Sequence, residues 1–173
     1  MKGVVFLNTL KKQKFAFLFG SLIIFFLSAF FHFLYDMTNI FLFTMFCPIN
    51  ESVFEHIKMI YFACLIYSVF LYYGVFNRQK SIIPGISLGL AFVYVFIPTV
   101  FYGYTSVLGT HNIWIDLLIT LFSGVGFLSI VYIFASKGYL KNQYKLAIIT
   151  IIILSFFTIA FTYYPPSFEL FVE

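Results

Sequence analysis

The sequence predicts an all-α membrane protein: one integral membrane domain over residues 1–173, built as a bundle of five transmembrane helices. Three observations indicate this class. The chain is 62% hydrophobic and 24% aromatic but only 9% charged, whereas soluble domains carry about 25% charged residues. Five apolar stretches approach the roughly 20 residues that cross a bilayer as a helix. No segment alternates apolar and polar residues over the length of a barrel strand, so helices must satisfy the backbone inside lipid.

The five predicted spans follow one another with short connections. They cover residues 15–35, 53–76, 82–104, 113–135 and 146–163. In the third span, Gly85 and Gly89 have the GxxxG spacing that lets helices approach closely, which predicts contact with a second copy or with a partner subunit. So low a content of charge excludes a disordered chain, a secreted disulfide scaffold and a free nucleic-acid-binding protein. Membrane lipid is the expected surrounding.

The segment of residues 37–49, between the first two spans, is apolar but short. Its 13 residues are followed closely by polar ones, and Pro48 interrupts it, so an interfacial or re-entrant segment is expected. With five spans, nine of the ten basic residues fall on one side and Lys58 alone falls on the other. The positive-inside rule makes the first side cytoplasmic. This predicts an inside amino terminus, an outside carboxyl terminus and a location in the plasma membrane.

The acidic residues and histidines show a second asymmetry. All six acidic residues and all three histidines fall on the predicted outer side, and the positive-inside rule does not explain where the histidines lie. His32 and Asp36 are four residues apart at the end of the first helix, so they share one face. His111 precedes the fourth helix, and Asp116 lies near its start. A carboxylate inside an apolar stretch needs a partner or a proton.

The start of the second helix is the richest polar segment of the chain. Asn50 is the expected N-cap, and Glu51 in the first turn suits the positive end of the helix dipole. On such a helix Glu51 and Glu55 would form one stripe, with Ser52 and His56 on the adjacent one. The sequence therefore predicts imidazole and carboxylate groups from several helices at one outer level.

Imidazole and carboxylate groups are the ligands of zinc and similar divalent ions, and the same groups can form a proton relay. The candidate metal ligands are His32, His56, His111 and Asp116. Glu51 or Glu55 is the candidate general base that takes a proton from water. Six further residues are expected to bind substrate or to support the ligands: Asp36, Asn50, Ser52, Lys58, Tyr102 and Tyr104.

The run P-I-N-E-S-V-F-E-H-I-K, residues 48–58, resembles the signature of an uncharacterised family of small bacterial multi-pass membrane proteins. That family is catalogued as a domain of unknown function. Residues 32–36, 101–105 and 162–166 resemble its other landmarks in the same order, so the resemblance extends over nearly the whole chain. It implies the same membrane fold, and it implies no reaction because the family has no established activity.

Three functions of different classes remain open at this point. The first is a hydrolase that uses a divalent metal such as zinc and acts on a lipid or lipid-linked substrate at the outer leaflet. The second is a carrier or channel subunit for protons or cations, with Asp116 as its titrating group. The third is an accessory membrane protein with a structural polar cluster. We rank the hydrolase first.

Overall fold

The computed structural model describes residues 2–172, with side chains from residue 12 onward, so the side chains of Lys2, Lys11 and Glu173 lie outside it. The five long helices are α1 (Lys2–Thr38), α2 (Val53–Phe70), α3 (Ile83–Leu108), α4 (Ile113–Lys137) and α5 (Tyr144–Tyr163). Each is apolar and long enough to cross a membrane. Residues 2–172 contain no β-strand. The predicted all-α architecture with five membrane helices is confirmed.

Short helical turns complete the described chain. α2 closes with a π-helical turn, Leu71–Val75. Short 3₁₀ turns lie between the long helices or after the last one, at Phe41–Met45, Lys80–Ile82, Lys141–Gln143 and Glu169–Phe171. The last of these folds back onto the start of α2, where the rings of Phe171 and Phe54 lie 4.5 Å apart.

The segment of residues 37–49 forms no additional span. After α1 ends, Asn39 takes a left-handed backbone conformation with a φ of 52°, and Phe41–Met45 form a 3₁₀ turn. The Thr44 and Tyr163 hydroxyl oxygens are 2.7 Å apart, and the ring of Phe41 packs on the ring of Tyr163. The segment therefore lies where α1 and α5 end. We call this end of the bundle, where α2 and α4 begin, the site end.

The helices differ in how much of their surface the protein covers. α2 is central: 61% of its most apolar 18-residue stretch is buried, whereas only 17% of the corresponding stretch of α5 is buried. α3 and α4 pack closely through the two glycines of the GxxxG pattern. A Cβ on Gly89 would lie 2.6 Å from the ring of Phe127, and one on Gly85 would lie 2.9 Å from Phe134. The face predicted to contact another subunit thus contacts α4 of the same chain.

Candidate metal centre

Two imidazoles and one carboxylate meet at the site end. His32 in the last turns of α1, Glu51 in the connection before α2 and His56 in the first turn of α2 each offer one ligand atom. These three atoms lie within 4.8 Å of one another. Nε2 of His56 is 3.5 Å from Oε2 of Glu51, and the ring centroids of His32 and His56 are 5.5 Å apart. We call these three residues the His32 group.

The local structure of the connection determines where Glu51 points. Ser52 is the N-cap of α2, and its Oγ accepts a hydrogen bond from the N–H of Glu55 at 3.4 Å. Asn50 Oδ1 instead accepts from the N–H of Ser52 at 3.1 Å. The predicted N-cap at Asn50 is therefore wrong, because this side chain closes a turn before the helix. Glu51 precedes α2, shares no helical stripe with Glu55 and lies beside His56.

A backbone hydrogen bond sets the orientation of the His56 ring. Nδ1 of His56 is 3.0 Å from the carbonyl oxygen of Ser52. Since a carbonyl oxygen only accepts hydrogen bonds, we assign the proton to Nδ1, and in the neutral ring Nε2 keeps its lone pair. That lone pair is on the nitrogen nearer to Glu51. Metal-ligating histidines are commonly held in this way, with the second ring N–H donated to a backbone carbonyl.

His32 has a buried polar atom that its surroundings leave unsatisfied. Its Nδ1 has no hydrogen-bond partner among the described residues. An unpaired buried polar atom costs about 1–3 kcal/mol, and each such atom in a native structure needs an explanation. A metal ion is one partner that would satisfy it. The side of the group formed by Glu51 is open, since the Glu51 side chain is 71% exposed.

Glu55 is held inside the protein by an ion pair. Its Oε2 is 2.6 Å from Nζ of Lys58, and the two side chains are 3% and 0% exposed. The same oxygen accepts the N–H of Ile49 at 2.9 Å. Lys58 Nζ also donates to the carbonyl of Thr44 at 2.8 Å and to Oγ1 of Thr162 at 3.1 Å. A carboxylate bound to an ammonium group in this way is a poor general base, so the geometry favours a structural role for Glu55.

His111 and Asp116 form a second, separate group with Tyr104, which we call the His111 group. Nδ1 of His111 is 3.4 Å from Oδ2 of Asp116, and the two side chains are 71% and 32% exposed. The Tyr104 hydroxyl donates to Oδ1 of Asp116 at 2.5 Å and accepts the N–H of Asn112 at 3.1 Å. Asn112 is the N-cap of α4. The four predicted metal ligands are thus divided between two groups, and Glu51 joins the first.

The remaining candidates lie at the same end with different surroundings. Asp36 is exposed near the end of α1, and the buried hydroxyl of Tyr102 has no hydrogen-bond partner among the described residues.

Burial raises the pKa of the Cys47 thiol, so Cys47 stays protonated at neutral pH and is a poor thiolate ligand. Sequence reasoning missed Thr44 and Thr162 as partners of Lys58, because nothing local to either residue signals that contact.

Comparison with known proteins gives a family and no activity. No curated protein and no solved structure matches the chain. One family profile covers residues 5–173, a range that includes every residue of both groups. The expectation of an uncharacterised family is confirmed at that level. The chain therefore belongs to DUF6512, a family of unknown function.

Proposed function

We propose that this protein is a metal-dependent membrane hydrolase in which His32, Glu51 and His56 hold a divalent ion of the zinc class. The observation that carries the proposal is the convergence of three ligand atoms within 4.8 Å. Two histidines and one glutamate are the protein ligands of several catalytic zinc sites, which keep a fourth position for water or substrate. In this proposal Glu51 is a metal ligand and not a general base.

The surroundings of the ligand atoms support a metal in preference to a surface ion pair. His56 donates its Nδ1–H to a backbone carbonyl, which leaves Nε2 available. His32 has a buried nitrogen, Nδ1, for which the described residues offer no hydrogen-bond partner. A cluster of ordinary surface groups would be solvated or paired throughout. Both features are those expected around a metal ion.

The reaction class follows from what such an ion does. A zinc ion with three protein ligands lowers the pKa of bound water to about 7, so it supplies a nucleophile at neutral pH. The His32 group lies where membrane-crossing helices end, and Glu51 leaves it open on one side. We infer that the substrate is a membrane lipid or a lipid-linked molecule. From the excess of basic residues at the opposite end we infer that the site end faces outward, and we propose the plasma membrane as its location.

Metal analysis of the detergent-purified protein tests the ligand set. We expect about one zinc or manganese ion per wild-type chain by inductively coupled plasma mass spectrometry. His56→Ala should lose most of this metal while it keeps its helical circular dichroism. His111→Ala is the matched control, because it removes a histidine of the other group, and it should keep the metal.

Two results would contradict the metal site. One is a metal-free wild-type protein at neutral pH that also takes up no zinc on dialysis, which would leave the group as an ion pair between His56 and Glu51. The other is an equal loss of metal from His56→Ala and His111→Ala, which would restore the ligand set predicted from sequence.

Hydrolysis needs its own measurement. The protein is reconstituted into liposomes made from a total lipid extract, with and without added metal, and the lipids are compared by mass spectrometry. We expect cleavage products that require the metal and disappear in Glu51→Ala. An unchanged lipid profile with a fully metal-loaded protein would contradict the hydrolase while the metal site stands.

The carrier alternative relied on Asp116 as a titrating group within the membrane. Asp116 instead lies in the first turn of α4, with its side chain 32% exposed and hydrogen-bonded to Tyr104. Its position is that of a helix-end carboxylate that water can reach. The hydrolase therefore has the stronger structural support.

A further inference from the structure

A buried ion pair ties three parts of the molecule together next to the His32 group. Lys58, in α2, donates to Glu55 of the same helix, to Thr44 of the 3₁₀ turn and to Thr162 of α5. An ammonium group has three hydrogens, and each has an acceptor here. The pair is fully enclosed, with the Lys58 side chain 0% exposed.

Stability alone is a weak reason for such a pair. Replacing a buried ion pair by apolar residues of similar volume is often neutral or stabilising, because both charges must be removed from water. Its contacts indicate a role in placing the backbone. Two of them end on backbone atoms of the connection between α1 and α2: the Thr44 carbonyl and the Ile49 N–H.

Those two contacts fix the chain just ahead of Glu51. Ile49 is two residues before Glu51, and its N–H is bound by Glu55 at 2.9 Å. On the other side of Glu51, the N-cap Ser52 is held by Asn50 and by the N–H of Glu55. Glu51 itself precedes α2, so its place comes from these neighbours and not from a helix. A ligand must be held within about 0.5 Å of its productive position.

We infer that Glu55 and Lys58 are positioning residues that place the carboxylate of Glu51 in the metal site. The inference rests on the proposed metal site and adds the mechanism that holds its carboxylate ligand. Neither residue contacts the ion. Their loss should weaken metal binding through Glu51 alone.

The test is a double-mutant cycle with Co²⁺ as the probe. Glu55→Leu with Lys58→Met removes both charges together at similar volume, so no unpaired charge is left inside. In the purified full-length protein we expect Co²⁺ affinity to fall about 10–100-fold, as for other changes to groups that orient metal ligands. The visible Co²⁺ spectrum should come to resemble that of Glu51→Ala. In the Glu51→Ala background the same pair of substitutions should cause no further loss.

A purely structural role gives a different result. It would reduce Co²⁺ affinity by the same factor with or without Glu51, and that outcome overturns the inference. Wild-type affinity in the folded Glu55→Leu/Lys58→Met variant also overturns it. If the wild-type protein binds no Co²⁺ or Zn²⁺, the proposed metal site itself fails, so the two failures are distinguishable.

Two further variants keep the test decisive. Glu55→Gln with Lys58→Met keeps an amide oxygen for the N–H of Ile49, so an intermediate loss is expected. If the leucine variant does not fold, the same cycle on this variant decides the question. Thr162→Val is the matched control, because it removes the α5 partner of Lys58 and leaves both contacts to the connection. Its Co²⁺ affinity should stay within about twofold of wild type.

Discussion

The His32 group and the His111 group begin from the same sequence spacing. Glu51 and His56 are five residues apart, and so are His111 and Asp116. In the first pair a second imidazole, His32, arrives from α1. In the second pair a phenol, Tyr104, arrives from α3 and donates to the carboxylate. The third side chain is therefore another potential metal ligand in the first group and a hydrogen-bond donor in the second.

Burial separates His32 from His111. His111 is 71% exposed and water reaches its ring, whereas His32 has a buried nitrogen without a partner in the described chain. A histidine and a carboxylate in sequence proximity are thus weak evidence for a metal site. Stronger evidence is a buried nitrogen without a hydrogen-bond partner on a residue that lies close to other potential ligands.

The largest expected loss of stability comes from removing the buried ion pair next to the His32 group. Lys58→Ala leaves the Glu55 carboxylate buried without its partner, so we expect a loss of roughly 3–5 kcal/mol in the free energy of unfolding. Asp116→Ala removes an ion pair that water reaches, so the lost contact with His111 should cost about 0–1 kcal/mol, and the hydrogen bond from Tyr104 is lost as well. Unfolding of the purified protein in mixed detergent measures both. Equal losses would show that burial does not set the strength of the two ion pairs.

A smaller loss of stability is expected from a change in the His111 group, which also tests whether the two groups are independent. The Tyr104 hydroxyl donates to Asp116 and accepts from the Asn112 N–H, so Tyr104→Phe should destabilise the protein by about 1–2 kcal/mol. Metal content should not change, because Tyr104, Asp116 and Asn112 lie outside the proposed metal site. A Tyr104→Phe protein that folds and lacks metal would show that the two groups act together.

The smallest effect on stability is expected at two exposed positions, where cysteine labelling can show which end of the bundle faces outward. Thr110 lies at the site end and Asn142 at the opposite end, and both are exposed. Thr110→Cys and Asn142→Cys should each change the free energy of unfolding by less than about 0.5 kcal/mol. A membrane-impermeant maleimide should label Thr110→Cys in intact cells and Asn142→Cys only after permeabilisation. Background labelling should be low, since Cys47 and Cys64 are buried and burial raises the pKa of the Cys47 thiol. The reverse pattern would place both groups in the cytosol.

Most of the fold is predictable from the sequence because crossing a bilayer requires long apolar helices. The limits of the helices are less predictable. The first predicted span began at residue 15, whereas α1 begins at Lys2, since a helix can continue beyond the apolar stretch. The length of the segment of residues 37–49 is enough to predict that it does not cross the membrane. Its 3₁₀ turn and its contact with Tyr163 are not predictable from the sequence.

The site is only partly predictable, for a physical reason. His32 and His56 could be named as candidate ligands from residue type and position, but their approach depends on how α1 packs against α2. The sequence predicts Glu51 or Glu55 as the general base, on a helix with Asn50 as its N-cap. The run from Ser52 to Glu55 has the S-x-x-E pattern of a capping box, and that signal would have placed Glu51 before the helix.

The stretch from Ile49 to Lys58 makes many of its polar contacts with itself. Asn50 bonds the N–H of Ser52, His56 bonds the carbonyl of Ser52, and Glu55 bonds both Ile49 and Lys58. Contacts between residues so near in sequence form with little loss of chain entropy. Much of the shape of this decapeptide therefore rests on contacts that are local in sequence. His32, which α1 brings from outside this segment, then completes a group whose other two members the local structure already holds.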